Sequence, residues 1–325
     1  MNMQKNFWNF LPALLLLAGT VAAGNTPVTE CGTVLTEPGN YKLANELLDC
    51  PGDGVAIMGS DIRLDLKGHE ISCGDGVSPV AGILVLGNEE NAVRNVTVSN
   101  GRVSNCNDGV LLIDVEDSKI TGITSAGNRF WEDPDGNLLY GTGITVYKSH
   151  NNVIMKNSTY GNASDGIGSW ASSGNVFKHN RSHHNPNNGF FLEMSTDSLL
   201  MCNQSFANTD GILLFPGSND NLIQGNLVSD NIGGISILGL AWEGWFWRDI
   251  PDGNTVRLNI VEGNAWLDLD EIYYDLAFGD LLLHPDGTCQ NTWEKNRYGT
   301  QYGPTGCIPA AFDLDDVCAL GEDED

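Results

Sequence analysis

The sequence predicts an all-β solenoid, a parallel β-helix. Three observations carry that class: a fixed period, a strand-like alternation inside each period, and asparagines that recur in phase with it. Glycine followed by an apolar residue occurs at Gly143-Ile144, Gly166-Ile167, Gly189-Phe190, Gly211-Ile212 and Gly234-Ile235, at steps of 23, 23, 22 and 23. A constant period of this size marks an array of units, each burying its apolar side only by stacking on the next. In Gly143–Tyr147 and Gly189–Glu193 the first and third positions after the glycine are apolar, which is the period of a strand. A second short apolar run follows each (Val153-Ile154-Met155, Val176-Phe177, Leu199-Leu200-Met201, Leu222-Ile223), and Gly, Asn, Ser and Asp fill the turns between. No unit has an apolar period of helical length, which excludes helical repeats. The series Asn157, Asn180, Asn203, Asn226 and Asn162, Asn185, Asn208, Asn231 both advance by 23. Stacked in a solenoid they make amide ladders, each side chain bonding the coil above and the coil below.

The recurring N-x-[IV]-x-x-N, with a second asparagine and the Gly-apolar pair behind it, resembles the repeat of right-handed parallel β-helix proteins over roughly residues 54 to 300. That pectate-lyase-like superfamily includes polysaccharide lyases, polyuronate epimerases and pectin hydrolases. It also includes the periplasmic copper-loading accessory protein of nitrous oxide reductase. The resemblance implies a single-stranded right-handed parallel β-helix solenoid and leaves the activity open, because one scaffold hosts unrelated chemistries.

In chain order, residues 1–23 read as a secretory signal peptide, with Lys5 before an apolar stretch around Leu14–Leu17 and Val21-Ala22-Ala23 at the cleavage site. The mature protein is expected to be secreted or periplasmic, monomeric and free of the membrane. Residues 24–53 form an N-terminal cap, 54–300 the solenoid, and 301–325 a C-terminal cap with an acidic tail. Eight cysteines in an exported chain favour disulfide-stapled caps. The expected pairs are Cys31 with Cys50, Cys73 with Cys106 and Cys289 with Cys307.

Two insertions interrupt the period. Residues 129–140 precede the Gly143 strand, and residues 240–252 follow the Gly234 strand. They should flank a trough across the sheet that the repeat strands build. Strand parity puts Tyr147, Trp170, Glu193, Phe215 and Leu238 in one outward column, with Phe191 beside it. Aromatic faces suit the apolar faces of sugar rings. Trp170, Phe191 and Phe215 are therefore expected to bind a polysaccharide, walled by Trp131, Trp242, Trp245 and Trp247.

Sixteen basic against 42 acidic residues give a net charge of -26. That excludes nucleic acid as a partner through a basic surface. An acidic polysaccharide needs a local positive patch or calcium. The segment from Lys178 to His184 holds the one basic cluster, with Lys148 and His150 on the coil before. Lyase or C5-epimerase chemistry needs a base for the proton beside a uronate carboxylate and a cation for the developing charge. His183 or His184 is expected as base, Tyr147 as acid, Arg181 or Lys148 as cation, with Glu193 a further carboxylate. Calcium is the expected metal, on Asp133 with Asp135 or Asp249 with Asp252. Copper on His179, His183 and His184 is the alternative of a metal accessory protein, and a non-catalytic carbohydrate-binding role is another. Asp165 and Asp210 precede repeat glycines two coils apart, at a spacing that an inverting hydrolase could use, though Asp-Gly is also turn chemistry.

Overall fold

Each repeat folds as three short strands separated by tight corners. The coil of Ile144–Tyr147, Val153–Met155 and Ser158–Tyr160 is typical. The computed structural model describes residues 25–74, 81–132, 138–238, 251–264, 279–283, 291–302, 307–314 and 318. The signal-peptide expectation lies outside these. Among the described residues there is no helix, and none long and apolar enough to cross a membrane.

Among the described residues, the first strands of the coils stack in parallel into an eleven-stranded sheet, running from Thr33–Leu35 to Gln301–Tyr302. The second and third strands stack into a sheet of nineteen. These two legs share one sheet because the eight-residue strands Thr97–Ser104 and Lys119–Ala126 run unbroken round the corner between them. The register is strict: Ile144 pairs with Ile167, Ile167 with Phe190, Phe190 with Ile212 and Ile212 with Ile235. All five side chains are buried. This is the parallel β-helix expected from the repeat. The strands of the cap, from Thr26 onward, already pair into the same two sheets.

The asparagine ladders form as expected and line the interior of the corners. Asn203 shows the pattern. Its N–H and Nδ2–H donate to Asn226 Oδ1 at 2.9 and 3.0 Å, and Nδ2 also donates to Phe177 O at 2.8 Å. Its Oδ1 accepts from Asn180 N–H and Nδ2–H at 2.9 and 3.1 Å. A third ladder runs through Asn152, Asn175, Ser198, Asn221, Asn254 and Asn291. The repeat glycines follow from this filling. A Cβ on Gly166 would collide with Ser182 Oγ, and one on Gly143 would crowd Asn162 Nδ2 and Thr159.

Disulfides join Cys31 to Cys50 and Cys73 to Cys106, which fits an oxidising compartment. Cys307 is also disulfide-bonded, and its expected partner Cys289 lies outside the described residues. Cys202, which belongs to none of the expected pairs, is a buried thiol at a corner. Of the N-x-[ST] sequons, Asn157, Asn162, Asn180 and Asn203 are ladder members and buried.

Truncating a ladder residue leaves buried groups without partners, at about 1–3 kcal/mol each. Asn203→Ala is expected to lose at least about 3 kcal/mol in urea unfolding. A surface change such as Lys119→Gln, at an exposed position, should stay within about 0.5 kcal/mol.

Candidate functional site

The outer face of the eleven-stranded sheet carries three columns of side chains. The corner glycine and the residue after it both point inward, so alternation breaks there and the residue before the glycine turns outward. The first column is Asp108, Thr142, Asp165, Asn188, Asp210 and Gly233, matched by register. The second is Leu111, Thr145, Gly168, Phe191, Leu213 and Ser236. The third is Ile113, Tyr147, Trp170 and Glu193, continued by Phe215 and Leu238.

Aromatic residues make a platform of the second and third columns. Gly168 leaves room for the Trp170 indole to fold back over the sheet, since a Cβ there would run into the ring. The indole meets Phe191 at 5.4 Å between centroids, and Phe191 meets Phe215 at 5.7 Å. Glu193 follows Trp170 on the next coil. Burial pushes its carboxyl pKa up, and a hydrogen bond from the Trp170 side chain holds part of that shift back. Tyr147, 40% exposed, stands on the coil before Trp170. Lys148 Nζ lies 5.7 Å from the Tyr147 ring centroid and 2.8 Å from Glu89 Oε1. That ion pair raises the lysine pKa.

His183, His184 and Arg181 sit elsewhere. Arg181–His183 is a strand of the nineteen-stranded sheet. The His183 ring is sandwiched between Tyr160 and Phe206, at 5.1 and 4.7 Å and nearly parallel. Burial, with Arg181 and His184 beside it, lowers the His183 pKa to about 4. Its Nδ1 is 2.9 Å from His184 Nδ1, and the Arg181 guanidinium lies 4.9 Å from the Phe206 ring centroid. His179 is exposed in the corner between Val176–Lys178 and that strand. The structure thus joins Tyr147, Lys148, Trp170, Glu193, Phe191 and Phe215 on one face and the histidine pair with Arg181 on another.

The first insertion rises at the edge where the chain enters the platform sheet. Trp131–Glu132 pairs antiparallel with Leu138–Leu139, and Asn107 Nδ2 anchors its base through Arg129 O at 2.9 Å. Phe130 and Tyr140 are exposed there, 6.2 Å apart. Neither was singled out by the repeat pattern. Trp242, Trp245, Trp247, Asp133, Asp135 and Asp249 lie outside the described residues, and Asp252 is exposed.

The acidic first column holds Asp165 and Asp210, the two carboxylates weighed from the sequence for a hydrolase, and brings Asp108 into line with them. Asp165 is buried, while Asp108 and Asp210 are partly exposed. Asp108 Oδ1 accepts from Thr145 Oγ1 at 2.7 Å. Desolvation raises the Asp108 pKa to about 7 and that of Asp165 to about 6. The sequence signal that they share is Asp-Gly recurring on alternate coils.

A family model described as periplasmic copper-binding protein (NosD) matches residues 74–274, more than half of the chain. Among solved structures, the chain is similar to a mutant of the periplasmic alginate epimerase AlgG. The identity is 17%, covering 88% of this chain and 70% of that one, with a TM-score of 0.50. It is also similar to DFA-IIIase from Arthrobacter chlorophenolicus A6 without its lid, at 14% identity, 83% and 70% coverage and a TM-score of 0.55. Likenesses at this identity establish the fold. Comparison with curated protein sequences gives no match.

A carboxyl whose folded pKa lies above its unfolded value stabilises most at low pH. That contribution is lost as pH rises through the folded value. Asp108 and Asp165 should therefore make stability fall from about pH 4, the unfolded aspartate range, up to about 7. Asp108→Asn and Asp165→Asn cannot ionise and should flatten that fall. Each is expected to match the wild type at pH 4 and melt a few degrees higher at pH 8, at roughly 2–4 °C per kcal/mol.

Proposed function

The chain belongs to the family described as periplasmic copper-binding protein (NosD), and we propose that on this scaffold it acts as an exported carbohydrate-active protein, binding and modifying an acidic polysaccharide across the platform. The observation that carries this is the Trp170 indole lying over Gly168 against Phe191, with Phe215 beyond. Such a floor matches the apolar face of a sugar ring. A structural neighbour named as an alginate epimerase adds support.

A sugar ring stacked on Trp170 has Glu193 on one side and Tyr147 on the other. The two stand two coils, about 9.6 Å, apart. In lyase or C5-epimerase chemistry one group removes the C5 proton and a cation holds the charge that develops on the carboxylate. Glu193, with its raised pKa, is a stronger base than an ordinary carboxylate and takes that proton. In an epimerase Tyr147 returns a proton to C5 from the opposite side; in a lyase it protonates the C4 oxygen as the C4–O bond breaks, and in both Lys148 counters the uronate. Calcium on the acidic loops would lessen repulsion between chain and polymer.

A screen over alginate, pectate and glycosaminoglycans, with and without calcium, tests this. A lyase releases a 4,5-unsaturated uronate that absorbs in the near ultraviolet, and an epimerase incorporates solvent deuterium at C5. Glu193→Gln and Tyr147→Phe should abolish turnover and keep binding, while Trp170→Ala should weaken binding about tenfold. Silence of both assays over all polymers rules out the enzyme and leaves a binding protein.

One observation favours a second role, in copper delivery: the two Nδ1 atoms of His183 and His184 facing each other at 2.9 Å. Imidazole suits copper. The donor set is thin, since among the described residues no three His, Cys, Asp or Glu side chains converge on one metal position. Copper as cargo should then bind stoichiometrically and be lost in a His183→Ala, His184→Ala double variant. Copper removed from the wild type by dialysis alone would exclude this role.

A further inference from the structure

One buried acceptor in the acidic column has no donor. Asn188 sends both of its donors to the preceding coil, N–H at 3.0 Å and Nδ2–H at 2.7 Å, each to Asp165 Oδ1. Its Oδ1 is buried without a hydrogen-bond partner. Exchanging the ends of the amide does not help, because Oδ1 would then face the Asp165 carboxyl in place of the 2.7 Å donor. In the three ladders, by contrast, each amide oxygen is met by donors from the preceding coil.

The residue in register with Asn188 on the following coil is Asp210. Its Oδ1 accepts from Ser236 Oγ at 2.7 Å. Its carboxyl leans over Gly233, where any Cβ would collide with it. With Oδ1 turned to the following coil, the register leaves the other Asp210 oxygen as the group on the Asn188 side. A carboxylate there supplies no donor, and the Asn188 oxygen stays orphaned at a cost of about 1–3 kcal/mol. A carboxylic acid carries the donor that is lacking.

We propose that Asp210 is held as the neutral acid and donates its proton to Asn188 Oδ1, so that Ser236, Asp210, Asn188 and Asp165 form one directed chain of hydrogen bonds along the platform's edge. Burial raises the Asp210 pKa, and the Ser236 hydroxyl opposes this in part. The titratable side chains on the elements around it are Asp165, Glu193, Asp230 and His184, while the causes of the shift are burial and the Ser236 hydrogen bond. The chain of bonds stands whether or not the platform binds a polysaccharide. It places an un-ionised acid beside the column of Phe191, Leu213 and Ser236, and loss of its proton breaks the chain at Asn188.

Carbon-13 labelling of the aspartate carboxyls and an NMR titration of the folded protein test this, with the Asp210 signal assigned from its absence in Asp210→Asn. The expected midpoint lies above the ordinary aspartate range. Asp210→Asn, whose Nδ2–H replaces the carboxyl hydrogen, should melt with the wild type near pH 4 and above it at pH 8. A midpoint at the ordinary value, about 3.9, overturns the proposal. So does a calcium-dependent rise in wild-type Tm that Asp210→Asn abolishes, which would put a cation at the Asn188 oxygen. If Asp210→Asn does not fold, Ser236→Ala assigns the signal instead, since removing that donor moves the Asp210 midpoint further up.

Discussion

The buried amide is the interaction on which the rest of the structure depends. Every coil turns corners whose backbone N–H and C=O groups face an interior without water, and such groups must be paired. Asparagine does this with one side chain, whose oxygen serves the coil before and whose NH2 serves the coil after and a strand carbonyl. Asn203 makes all of these bonds. The corners also hold non-glycine residues in left-handed backbone, Lys156, His179 and Cys202 in one column and His184, Ala207 and Asp230 in another. Each costs roughly 1–2 kcal/mol, and the ladders beside them offset that cost. Because a ladder tolerates no slip, Trp170 has Tyr147 on one side and Glu193 on the other in every molecule.

Much of the solenoid was legible because its period is constant wherever the ladders are regular. The inward stack from Ile144 to Ile235 and the outward column of Tyr147, Trp170, Glu193 and Phe215 follow from parity alone, and the fold confirms both placements. The third ladder was harder to see, since Ser198 takes an asparagine's place and a hydroxyl does the work of an amide. Parity also fails at the corner, where two successive residues turn inward. Asp108, Asp165 and Asp210 therefore read as turn residues, although they line the face. His183 and His184 were misleading in another way. They lie close in sequence to the Gly189 strand, but the strand that holds His183 belongs to the other sheet, and chain proximity says nothing about which face a side chain shares.

The platform face is graded across its width. One edge is a column of acids and an amide held by hydroxyl and backbone donors, and the middle is small or apolar. The far edge is aromatic, ending at a lysine already engaged by Glu89. A polymer lying along the solenoid axis meets the same three chemistries on successive coils, with changes of residue setting where it stops. Trp170 over Gly168 is such a place, because a single missing side chain makes room for the largest one.

The burial of Asn157, Asn162, Asn180 and Asn203 bears on where this chain can be made. Each lies in a sequence that oligosaccharyltransferases accept in a nascent, unfolded chain. A glycan attached there is far too large for the interior of a coil, so the modified polypeptide could not close its ladders. A eukaryotic secretory pathway would convert part of each batch into material unable to fold, whereas an envelope without that enzyme would not. For this solenoid, the choice of expression host is a question of core packing.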